Sequence, residues 1–183
     1  LLLPFLHAYD CSKANLTMGY PLKALPEYHL LETLINLVKN SNRFLAADKN
    51  AERIFYHKDV MALYQDPLIR TSFFENEDAF NSFIVALIET NKVFMTYNEI
   101  PKIETLPLPN LELNGEALLE EWINFFLLIE QKISTQGLCF IYVIIKELKN
   151  VIDLLHEFPL QDEINIDIMD YFIQDALAGK TIS

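Results

Sequence analysis

The chain has 183 residues, is 51% apolar with 13 Phe, 8 Tyr and only 4 Gly, and carries a formal net charge of −12. This length supports a full core without metal or disulfide support, and so little glycine argues against an all-β fold built on many tight turns. The charge disfavours nucleic acid and broad adhesion to anionic membranes, since both require a clustered positive field.

Residues 1–110 hold 10 Lys+Arg against 13 Asp+Glu, whereas residues 111–183 hold 4 against 13. The second part, at net −9, therefore favours basic or neutral partners. The opening LLLPFL lacks the basic n-region and small-residue cleavage site of a secretory signal. The chain begins at Leu1 with no initiator methionine, which reads as a piece of a longer protein. Cys11 and Cys139 are the only cysteines, and two lone thiols make neither a disulfide framework nor a zinc site. The expected compartment is reducing and cytoplasmic. A single glycosylation sequon, Asn15-Leu16-Thr17, carries little weight without a signal peptide.

In chain order, Leu1–Tyr9 reads as a helix end interrupted by Pro4, and Ser12–Pro21 is rich in turn residues. Pro26 suits the first turn of a helix running to about Lys39, with Leu30, Leu31, Leu34, Ile35, Leu37 and Val38 facing inward. Asn40-Ser41-Asn42 is expected to stop it. Phe44–Tyr56 is expected to be helical in one or two short pieces, and Lys58–Tyr64 forms a further helix. Asp66-Pro67 restarts the chain, with Asp as cap and Pro at the first helical position. Asn76 caps the next helix, whose expected buried face is Phe80, Phe83, Ile84, Leu87 and Ile88.

Residues 95–114 contain Pro101, Pro107 and Pro109, so no helix crosses them. Their apolar content predicts an extended strap lying on the surface of a single all-helical domain. The strap is also the one boundary between two subdomains, 1–94 and 115–183.

Two long helices follow, 116–133 and 138–158, joined by Ser134-Thr135-Gln136-Gly137 and ended by Pro159. So short a turn makes them antiparallel neighbours. Trp122–Ile129 and Leu138–Ile145 are apolar almost all round, so the turn end of the hairpin is expected to be enclosed on every side. Asp167–Ala178 is a last amphipathic helix with Gly179 as its stop. The predicted fold is all-α, an irregular bundle of about six to eight helices around this central hairpin.

Each fully apolar run is only about eight residues, roughly 12 Å of helix. A membrane span needs about 20 residues, so no transmembrane span is expected. There is no Gly-rich phosphate loop, no G-x-S-x-G and no kinase signature. His7-x-x-Asp10-Cys11 gathers three metal-ligating side chains, but no second cluster completes a site. Asp153-x-x-His156 places a carboxylate and an imidazole on one helical face, yet only one such pair exists where di-iron bundles use two. Cys139 sits among Leu138, Phe140 and Ile141, which predicts a buried thiol and not a nucleophile. No catalytic residue, metal or cofactor is assigned.

Two candidate surfaces remain. Glu120, Glu121, Asp167 and Asp170 lie on the polar sides of the acidic helices and are the expected contacts for a basic or helical protein partner. Lys39, Arg43, Lys49, Arg53 and Lys58 recur through a segment whose only acids are Asp48 and Glu52, with Phe44, Phe55 and Tyr56 among them. That stretch is a candidate pocket for a phosphoinositide headgroup or another phosphate, with peripheral lipid contact. The reading that accounts for most of the chain is a non-catalytic interaction domain of a larger protein. The alternatives are phosphate recognition through 39–58, or an enzyme fragment using His7, Asp10 or His156 and completed by regions outside this chain.

Overall fold

A computed structural model describes residues 20–45, 52–103, 106, 108–133, 138–157, 165–177 and 181–182. Among them the elements are β1 (Tyr20–Pro21), a 3-10 turn (Leu22–Ala24), α1 (Pro26–Leu45), β2 (Ile54–Tyr56), α2 (His57–Gln65), α3 (Pro67–Phe73) and α4 (Glu77–Glu89). Then come β3 (Phe94–Thr96), a second 3-10 turn (Tyr97–Glu99), α5 (Gly115–Lys132), α6 (Leu138–His156), α7 (Ile166–Leu177) and β4 (Thr181–Ile182). The fold is an all-α irregular bundle. Its strands are short antiparallel pairs, β1 with β4 and β2 with β3, the latter with Phe55 opposite Met95.

The hairpin forms as predicted. Nε2 of His156, the last residue of α6, lies 2.8 Å from Oε1 of Glu116 at the start of α5, so the two helices run antiparallel. Leu118, Leu119, Trp122, Ile123, Phe126 and Ile129 of α5 face Ile141, Ile144, Ile145, Leu148, Val151 and Leu155 of α6 within one buried cluster. The three-and-four spacing on both helices is what lets one stripe of each be removed from water. The expected enclosure on every side is corrected. Tyr142 is 62% exposed, and Val143, Leu127 and Leu128 are only partly buried. An apolar run longer than the neighbours can cover leaves its surplus at the surface.

Helix α1 joins the hairpin to the rest. It packs against β2, α2, α3, α6 and α7, and Tyr28, Leu30, Leu31, Leu34, Ile35, Leu37 and Val38 are all buried. The expected stop at Asn40-Ser41-Asn42 is also corrected, because α1 continues to Leu45. Ser41 is fully buried, and the Asn40 amide donates to Asp59 Oδ2 of α2 at 2.9 Å. Polar residues that would end an isolated helix serve here as tertiary contacts.

Caps at the shorter helices follow their sequence. Asp66 Oδ1 accepts the Leu68 N–H at 2.9 Å and starts α3 with Pro67 at its first position. Asn76 Oδ1 accepts the Ala79 N–H at 2.9 Å and starts α4.

The segment predicted to be helical up to Tyr56 is instead strand β2 at its end, because Phe55 pairs with Met95 and both are fully enclosed. On α4, Phe80 and Leu87 are buried, whereas Ile88, expected inside, is 58% exposed.

The strap between β3 and α5 keeps Lys102 and Glu112 exposed and turns apolar side chains inward. Ile100, Leu106, Leu108 and Leu111 are buried. A chain interrupted by prolines cannot pair its carbonyls in a ladder, so side chains supply the donors. Tyr64 Oη donates to the Pro101 carbonyl, and Tyr97 Oη donates to that of Leu108 at 3.0 Å. Arg53 donates to the Leu111 carbonyl, to the Leu113 carbonyl at 3.3 Å and to Asn114 Oδ1 at 2.8 Å.

Trp122 is wholly enclosed at the middle of α5, and its indole N–H has no acceptor. Its role is volume, so Trp122→Ala is expected to cost about 3–5 kcal/mol in urea denaturation, while Trp122→Phe, which removes the unpaired N–H, costs less than half as much.

Candidate functional site

Helix α7 is fixed at its start by Asn165, whose Oδ1 accepts the N–H groups of Asp167 at 3.0 Å and Ile168 at 3.1 Å. Ile166, Met169, Ile173 and Leu177 point inward at helical spacing. The same spacing sets Asp167, Ile168, Tyr171 and Asp175 on the outer face, where Ile168 is 41% and Tyr171 69% exposed. The helix contains three aspartates and no basic residue.

A polar seam joins α7 to α1. Lys39 Nζ lies 2.9 Å from Asp170 Oδ2 and 3.1 Å from Asp167 Oδ1. The hydrogen bond to Asp170 is the main reason the Lys39 ammonium is held above its ordinary range. Gln174 Nε2 donates to Asp170 Oδ1 at 3.3 Å, and Gln174 Oε1 accepts from Tyr28 Oη at 2.7 Å and Lys23 Nζ at 3.1 Å. Burial raises the Tyr28 phenol, so it stays a donor across the physiological range.

The two predicted surfaces thus meet at one point. Lys39, read as an anion-binding residue, holds Asp167 and Asp170, read as partner contacts. The other two predicted contacts lie on α5. Glu120 is exposed, and Glu121 is half-buried and accepts the Asn110 N–H at 3.3 Å.

The remaining cations of the 39–58 stretch do not converge. Arg53 is buried and directed at the strap carbonyls. Arg43 is exposed and reaches Asn40 Oδ1 at 3.4 Å, and Lys58 is exposed with its ammonium 6.0 Å from the Tyr56 ring. Lys49 lies outside the described residues.

His7, Asp10 and Cys11 also lie outside the described residues, as does the Cys139 side chain. His156 binds Glu116 on the neighbouring helix, and Asp153 is exposed. Among the described residues no three His, Cys, Asp or Glu side chains group as metal ligands, and no helix is long and apolar enough to cross a membrane.

Sequence reasoning missed a cleft of about 190 Å³ between α2 and the end of α4. Met61, Leu87, Ile88 and Val93 line it together with His57, Asn91 and Lys92. Asn91 turns the chain there in the left-handed region at φ 51°, which asparagine tolerates better than most residues. The available signal was the composition of α4, whose apolar residues exceed what one face can bury. Lys92 is already 2.5 Å from Glu99 Oε1, so the cleft offers no uncompensated lysine charge.

Comparison with protein-family models, curated proteins and solved structures returned no match.

Arg53 serves here as a hydrogen-bonding hub for the strap. Arg53→Lys, which keeps the charge but cannot span these acceptors, is expected to lower stability by about 1–3 kcal/mol. Lys58→Ala is expected to stay within about 0.5 kcal/mol. Urea titration of both variants checks this.

Proposed function

We propose that this chain is a non-catalytic protein-interaction domain that receives a basic, helical partner on the outer face of α7. The observation that carries this reading is the pairing of chemistry on that face. Asp167 and Asp175 supply negative charge, and Ile168 and Tyr171 stand exposed between them. Acidic groups steer a cationic partner and fix its register, while an exposed tyrosine provides contact area at low conformational cost. The wider charge, net −9 over residues 111–183, extends the same field, with Glu120 and Glu121 of α5 as further contributors. Asp170 contributes through the Lys39 seam, which holds α7 in place while leaving Asp167 71% exposed.

This reading is preferred to phosphate recognition through 39–58 because Lys39 and Arg53 are already engaged within the chain. We further propose a cytoplasmic setting, in which the two cysteines of the sequence stay reduced.

Titration of the labelled protein with a Lys/Leu amphipathic peptide, followed by amide NMR shifts, tests it. The expected result is saturable shifts at Asp167, Ile168, Tyr171 and Asp175, weakened by salt and absent with a Glu/Leu peptide of the same length. Tyr171→Ala is expected to weaken binding about tenfold. Diffuse shifts scattered over every acidic surface, or none, would refute the reading.

A further inference from the structure

Glu27 is the second residue of α1, where the helix dipole favours a carboxylate. Such a residue ordinarily faces water. Here the side chain is 1% exposed, and Oε2 meets no hydrogen-bond donor. A second acid, Asp66 at the α2–α3 corner, is itself 6% exposed and adds a smaller electrostatic push on Glu27. Asp66 is already the cap of α3, accepting the Leu68 N–H. His29, two residues further along α1 and 3.5 Å from Glu32, is the basic side chain that acts on Asp66. Among the described residues no lysine or arginine forms an ion pair with Glu27 or Asp66.

The other Glu27 oxygen takes a backbone N–H, but a buried carboxylate with one oxygen left without a donor is strongly unfavourable, and a second acid close by makes its ionisation worse. Either Glu27 holds a proton or it must reach water. Leu25, Glu27 and Tyr28 are all buried while Pro26 between them is half-buried, so ionisation of Glu27 favours movement of the first turn of α1 toward water.

We propose that Glu27 and Asp66 form a proton-operated latch, shut on the α2–α3 corner while Glu27 is a neutral acid and released when it ionises. This goes beyond the interaction reading and does not depend on it. Burial, the largest cause, pushes the Glu27 carboxyl up to about 7, and it pushes Asp66 up to about 6. The folded chain therefore keeps protons that the unfolded chain has released. The stabilisation from Glu27 is complete below its ordinary value of 4.5 and is lost as pH rises through about 7. The mildly acidic side of neutrality is the shut state. Tyr28 follows directly in sequence and holds Gln174 of α7, so release of the first turn also loosens that seam.

Side-chain carboxyl 13C NMR across pH 3–9, together with amide hydrogen exchange at pH 5.5 and 8.0, tests the latch on the full chain and on Glu27→Gln. Glu27 is expected to titrate near neutrality. Protection of the amides in the first two turns of α1, corrected for intrinsic exchange, should fall about tenfold or more between the two pH values in the wild type. It should stay constant in Glu27→Gln, which keeps the shape and cannot ionise. A Glu27 carboxyl that titrates near 4.5, or a loss of protection equal in both proteins, overturns the proposal. The carboxyl titration needs no variant, so it decides the question even if Glu27→Gln does not fold.

Discussion

The enclosure of α1 is the constraint on which the other elements depend. Five elements, β2, α2, α3, α6 and α7, pack on α1 and leave it a narrow stripe through His29, Asn36 and Arg43 for water. Each of those elements buries its own apolar stripe chiefly by covering α1 or the α5–α6 hairpin. Among the described residues the hairpin supplies four of the nine buried aromatic side chains, Trp122, Phe125 and Phe126 on one helix and Phe140 on the other. Without α1 the inward faces of α2, α3 and α7 would have no common surface. Helices this short are marginal alone, so packing and not propensity keeps them formed.

Enclosure also explains where the polar groups sit. Ser41 and Glu27 are carried into the interior because they lie on the broad buried face of α1, opposite the exposed His29, Asn36 and Arg43. Asn40 is drawn to Asp59, and Lys39 to the α7 aspartates. The strap shows the same logic in the opposite direction. Its prolines leave carbonyls without regular partners, and Arg53, Tyr64 and Tyr97 are turned inward to meet them. Arg53 thereby becomes a structural residue, and burial shifts its guanidinium below its ordinary range without removing its charge.

What remains for the surface is uneven. Most large apolar side chains are removed from water, yet two groups stay outside. One lies along residues 85–94 with Val85, Ile88, Val93 and Phe94, and the other on α6 and α7 with Tyr142, Leu154, Ile168 and Tyr171. The second group coincides with the acidic part of the chain, and this combination of charge and exposed aromatic area underlies the proposed docking face.

The helical class, the caps at Asp66 and Asn76, the α5–α6 hairpin and the amphipathic last helix were legible along the chain, because these depend on local periodicity and on side chains within a few residues of the backbone groups they satisfy. The sequence also identified Asp167 and Asp170 as polar-face residues and Lys39 as a cation near the end of a helix. Long-range packing settled that Lys39 reaches Asp170 across 131 residues, that Ile54–Tyr56 is a strand, and that Arg53 points inward. Those outcomes depend on which distant segment arrives with an unpaired carbonyl, an open strand edge or an opposite charge. The reading of Asn40-Ser41-Asn42 as a stop failed for the same reason, since a polar triplet ends a helix facing water and continues one whose neighbours receive it.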